Sequence, residues 1–165
     1  MLGGVRAWPF PPFGWSGTVK VHWREMNDGE LSRFAEMLKF QLGRESPKKI
    51  EQFDNVIRFV GGVFRPVSNW NILLQITQGE IELTSSAEWV TARYRISFTQ
   101  LLVFAAIVSV VPLAIATRDA DDAFGLLGLT WLWLVGGNVA ICLFRFPRHL
   151  KKAIHACLNA SSHSG

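Results

Sequence analysis

Hydrophobic and polar positions change their spacing several times over the first 96 residues, and after that they stop alternating with charge at all. From Thr18 to Trp23 the chain sets Val19, Val21 and Trp23 on one side and Lys20, His22 and Arg24 on the other. Successive side chains of a strand point to opposite faces, so this stretch predicts a half-buried strand. Asn27 and Asp28 then offer capping oxygens, and Leu31, Phe34, Ala35, Leu38 and Leu42 recur at helical spacing up to Gly43, which predicts a capped amphipathic helix. Lys49 to Phe53 and Val56 to Val60 flank an Asp54-Asn55 turn and predict a hairpin. Gly61-Gly62 predicts a bulge or a close backbone approach before Val63 to Arg65. Trp70, Ile72, Leu74 and Ile76 alternate, Thr77 to Gly79 turn the chain, Glu80 to Leu83 return it, and Trp89 to Ile96 alternates again.

Two apolar runs follow. Ser97 to Thr117 and Phe124 to Phe144 each hold 21 residues without a charge. At about 1.5 Å per residue each would reach roughly 30 Å, the thickness of a bilayer's hydrocarbon core. The connecting Arg118-Asp119-Ala120-Asp121-Asp122-Ala123 carries one basic and three acidic residues, whereas Arg93 and Arg95 precede the first run and Arg145, Arg148, Lys151 and Lys152 follow the second. The positive-inside rule then expects both ends in the cytoplasm of a multi-pass inner-membrane protein, with the acidic loop outside.

The expected fold class is therefore α+β: a small antiparallel sheet with one helix, followed by a two-helix transmembrane hairpin and a short amphipathic C-terminal helix. The corresponding divisions are an extended aromatic and proline-rich arm (1–16), a cytoplasmic α+β domain (17–96), two spans (97–117 and 124–144) around an outer loop (118–123), and a basic tail (145–165).

Composition sharpens this division. The 165-residue chain is 49% hydrophobic, and the excess sits in the two runs, because the only charges between Ser97 and Phe144 are the four from Arg118 to Asp122. Cys142 and Cys157 lie fifteen positions apart with no cysteine in the domain before them, which argues against a disulfide framework. Met1 to Trp15 does not have the basic start and apolar core of a secretory signal, so an uncleaved cytoplasmic N-terminus is expected.

Candidate contact residues come from the same pattern. In the arm, Trp8, Phe10, Phe13 and Trp15 stand among prolines, suited to a groove on another protein or to a membrane surface. Ala105 and Ser109 give the first run a small-xxx-small face for close helix packing, and Asn138, beside Gly136 and Gly137, is expected to face protein rather than lipid. Trp131 and Trp133 sit in mid-run, where at least one is expected against lipid, a pigment or a partner helix. Pro112 predicts a kink late in the first run. In the tail, Leu150, Ile154, Cys157 and Leu158 form a stripe flanked by cations, the pattern of a helix lying in the headgroup plane, with Arg145, Arg148, Lys151 and Lys152 as headgroup contacts.

Chemistry is sparse. The chain has no GxGxxG, GxxxxGK[ST], GxSxG or HExxH motif, and His22, His149, His155 and His163 share no metal-ligand spacing. No catalytic residue, cofactor or metal is expected. No histidine falls within either run, so pigment contact would be by packing only. An enzyme site built from Arg58, Arg65, Glu80 and Glu82 would need a concave pocket of converging titratable groups. Basic and acidic residues nearly balance before the first run, which disfavours nucleic acid. These features lead to the expectation of a non-catalytic accessory subunit of a larger bacterial membrane complex, respiratory or photosynthetic, whose partners are other membrane subunits and lipid. The rival expectation is a surface module that recognises anionic lipid or a cytoplasmic partner.

Overall fold

The computed structural model describes residues 13–45, 47–61, 76–115 and 120–162. Five strands, β1 (Gly14–His22), β2 (Lys49–Phe53), β3 (Val56–Val60), β4 (Gln78–Ser86) and β5 (Trp89–Ser97), form one sheet in the order β1-β5-β4-β3-β2, with every pair antiparallel. The β2–β3 hairpin turns at Asp54, whose φ of 50° lies in the left-handed region that Asp tolerates better than most residues. Val63 to Arg65 and most of the alternating stretch Trp70 to Ile76 lie outside the described residues. β1 begins at Gly14, earlier than its alternation suggested, because the backbone of Gly14 to Gly17 continues the ladder against β5. β4 likewise begins at Gln78, within the turn expected over Thr77 to Gly79.

Helix α1 (Asp28–Gly43) starts with a capping box. The Asn27 side chain accepts from the Glu30 amide at 2.8 Å, and the Glu30 carboxylate accepts from the Asn27 amide at 3.1 Å. Its buried stripe, Leu31, Phe34, Ala35, Leu38 and Leu42, faces the sheet.

The C-terminal half of the molecule departs from expectation, and the two-helix transmembrane hairpin is not what forms. Helix α2 (Thr99–Ile115) has 17 residues, so it reaches about 25 Å, short of a hydrocarbon core of roughly 30 Å. Its base is held in the sheet domain, where Phe98 and Leu101 are buried in the core. Among the described residues a single helix is long and apolar enough to cross a membrane, and it covers Leu127–Ala160. It belongs to a continuous helical rod of α3 (Ala120–Trp131), a π-helical stretch (Leu132–Gly137) and α4 (Asn138–Ser162). Part of the acidic stretch expected as a loop is thus helical from Ala120 onward.

The separate amphipathic tail is also corrected. α4 runs through Pro147 without ending and lays Cys142, Phe146, Leu150, Ile154, Cys157 and Leu158 into the core beside α1. The sheet is therefore covered by two helices instead of one. Pro147 forfeits one intrahelical hydrogen bond, and burial of Phe146 and Leu150 on either side holds the helix through that point.

Two glycines shape this docking. Gly79 pairs with Phe59 and Gly17 with Tyr94 across neighbouring strands, and each ring lies over its glycine so closely that an added Cβ would overlap it. The two rings flank Phe146, with centroids 6.2 and 5.1 Å from it. Glycine on the sheet thus makes room for an aromatic layer that seats α4.

Candidate membrane and docking surfaces

The first surface is apolar and helical. Where α2, α3 and the π-helical stretch pass beyond the sheet, Val103, Ile107, Val110, Leu129, Leu132 and Trp133 are each more than half exposed, Trp133 at 77%. Ala105 and Ser109 lie buried on α2, whose other contacts are with α3 and the π-helical stretch. The Ser109 hydroxyl donates to the Ala105 carbonyl at 2.6 Å, so its polar group is satisfied within its own helix. Asn138 is half-buried, and its side-chain amide donates to the Leu134 carbonyl at 2.7 Å. That bond falls on the wide turn, where π-helical spacing interrupts the regular ladder and Gly136-Gly137 lowers the cost of doing so. Trp131 is half-buried, so the two tryptophans have different surroundings.

The second surface marks the junction of rod and sheet. Phe13 and Trp15, 60% and 54% exposed, line a shallow apolar groove with Phe98, Leu102 and Val139. Phe13 is tied there by its carbonyl, which accepts from the Phe98 amide at 3.3 Å. Trp8 and Phe10, the other aromatics expected in the arm, lie outside the described residues.

The third surface is the face of the sheet that no described helix covers. Ladder register sets Glu51, Arg58, Glu80 and Arg95 in one row across four strands and Glu82 beside Arg93 in the next, so opposite charges alternate from strand to strand. Arg58 Nε meets Glu80 Oε2 at 2.7 Å, with the two side chains only 12% and 23% exposed. A concavity of about 450 Å³ opens over this face, lined by Ser16, Thr18, Glu80, Glu82, Arg93 and Arg95 with Tyr94 and Gly17 at its floor. The Tyr94 ring itself lies on the other face, against Phe146, where burial holds its phenol above its usual value. The lining brings the Ser16 and Thr18 hydroxyls together with two carboxylates and two guanidinium groups, and its charges face one another. Of the four residues considered for an enzyme site, Arg58, Glu80 and Glu82 share this face and Arg65 lies outside the described residues. Arg93 and Arg95, read from sequence only as topology signals, belong to the same face. Their alternate positions opposite the alternate Glu80 and Glu82 were the available clue.

The tail cations are spread along α4, with Arg145 half-buried and Arg148, Lys151 and Lys152 exposed. The apolar stripe between them is turned to the sheet, so it is not available to lipid. Both cysteines are free and buried. Among the described residues no three His, Cys, Asp or Glu side chains gather to hold a metal ion. No protein family, curated protein or solved structure matches the chain.

Proposed function

We propose that this chain is a non-catalytic accessory subunit of a membrane complex, seated in the bilayer by its helical rod and docking a partner subunit on the open face of its sheet. One observation carries the membrane part: the most apolar stretch of the Leu127–Ala160 helix is only 6% buried within the protein. A core helix of a water-soluble domain is covered by its own chain, whereas here the large apolar side chains point outward, a state that water penalises at about 25 cal/mol per Å². Lipid removes that penalty. In this reading the sheet domain faces the cytoplasm, which the positive-inside rule favours for its basic residues.

The docking part is supported by the alternating Glu and Arg rows and the concavity over them, which offer a partner a fixed charge pattern on a rigid support. Alkaline carbonate extraction of membranes containing the native chain tests the seating: the chain stays with the lipid pellet, and release into the supernatant refutes it. Sizing after gentle detergent extraction tests the docking. The chain migrates in an assembly larger than itself, and Arg93→Glu with Arg95→Glu shifts it to its own size. A monomer in both cases rejects the partner.

A further inference from the structure

The two ends of the sheet differ in charge. The register row Lys49, Val60, Gln78, Ser97 and Gly14 marks the end from which α2 departs. Lys48 is held at that same end by its amide, which donates to the Val60 carbonyl at 2.8 Å, and Arg44 caps α1 just before it. On α4, Arg145 falls one helical turn beyond the exposed Ile141. Glu45, an acid in this neighbourhood, stands 3.6 Å from His149 Nε2, and Glu51 pairs with Lys49. The opposite end carries Asp54 and Glu88 in its turns. Glu25, Asp28 and Glu30 join them there, because the Trp23 amide donates to the Glu88 carbonyl and the Met26 amide to Ser85 Oγ. The basic end is also the end with the exposed Phe13 and Trp15 beside the emerging helices.

We infer that this rim is a headgroup-binding surface: Arg44, Lys48 and Lys49 rest on the phosphates of anionic phospholipid while Phe13 and Trp15 lie at interfacial depth. The inference depends on the membrane seating proposed above and adds the lipid class and the contact. Three arguments carry it. Among the described residues the end nearest the apolar rod has Arg44, Lys48 and Lys49 against Glu45 and Glu51, while the far end has Asp54, Glu88, Glu25, Asp28 and Glu30 against Arg24, a bias that matches an anionic surface at one end only. The aromatics stand beside the rod at the same end of the strands as the cations, on the β1 edge, and Trp and its neighbours partition at interfacial depth in membrane proteins. The rim and the departure of α2 share one end of the sheet, so a rod in lipid turns that end toward the headgroups. Lys151 and Lys152 are assigned no such contact, since they follow His149 away from the apolar part of the rod, where α4 packs in the sheet domain.

The test uses the full chain in nanodiscs made either of phosphatidylcholine alone or of phosphatidylcholine with phosphatidylglycerol at about three to one. Amine labelling is read by mass spectrometry at each lysine. An electrostatic contact of the usual strength corresponds to about fivefold protection per cation. Lys48 and Lys49 are therefore labelled about fivefold less in the anionic discs, and high salt abolishes the difference. Lys20, Lys151 and Lys152 are labelled equally in both. Equal labelling of Lys48 and Lys49 in the two lipids overturns the headgroup contact while leaving the seating intact. Protection at Lys151 and Lys152 instead also overturns it and assigns the contact to the tail. A chain that does not co-elute with the discs overturns the seating itself, and the headgroup contact with it.

Discussion

Truncating Leu150 to Ala separates two roles for the C-terminal helix. In the structure Leu150 is fully buried between sheet and α1, one turn from Phe146 and one from Ile154. Losing its side chain removes apolar burial and leaves a cavity, a combination that costs about 2–5 kcal/mol at core leucines. For a chain of this size about 2–4 °C of melting temperature accompanies each kcal/mol, so the midpoint falls by roughly 4–20 °C. Phe146→Ala costs about 3–5 kcal/mol by the same reasoning, with loss of the ring contacts to Tyr94 and Phe59 included. The assay is thermal or urea unfolding of the detergent-solubilised chain followed by tryptophan fluorescence, with Lys152→Ala as the exposed control on the same helix. If α4 were a headgroup-plane helix, Leu150→Ala would weaken lipid contact and leave unfolding of the sheet unchanged. A midpoint within about 1 °C of the parent chain would therefore refute the packing described for α4.

Three further outcomes are expected. The Asn27 amide, with Arg24 beside it, holds the Glu30 carboxyl below its usual 4.5. A lowered value in the folded state means that Glu30 contributes stability above about pH 4.5 and loses it as pH falls through the folded value, so the gap in stability between the parent and Glu30→Gln, measured by unfolding from pH 7 to pH 3, closes at the acidic end. Gly79→Ala forces a methyl into the Phe59 ring and lowers stability by about 1–3 kcal/mol, an effect that Phe59→Leu in the same chain relieves if the overlap is its cause. Arg58 and Glu80, paired on a partly buried sheet face, show a coupling of about 1 kcal/mol in a double-mutant unfolding cycle; additivity within 0.3 kcal/mol, as an order of magnitude for independent sites, would count against the pair.

The sheet domain was largely legible because its cues are local. The capping pattern at Asn27 and Glu30, the turn at Asp54-Asn55 and the alternation of Trp89 to Ile96 all act within a few residues, and local chemistry decides them. The destination of α4 was not legible. A stripe of Leu150, Ile154 and Leu158 flanked by cations looks the same to a lipid surface as to a sheet, and only the aromatic layer over Gly17 and Gly79, assembled from β1, β3, β4 and β5, decides between them. The first apolar run misled for a related reason. Its lack of charge measures compatibility with lipid and not helix length, and part of the run lies in the sheet, with Ser97 closing β5 and Phe98 and Leu101 in the core. The docking face was half visible: the alternating Glu80 and Glu82 were noted, but pairing them with Arg93 and Arg95 required the strand order.

The helix that carries the exposed apolar surface and the helix that closes the sheet's core are one rod, with no glycine-serine or proline-rich tether between them. A rotation or tilt imposed on the upper half is delivered to the sheet as rigid-body movement, damped only at the wide turn around Gly136-Gly137. Whatever binds the charged face is consequently held at one height and one heading relative to the rod, as an instrument is held by its mount.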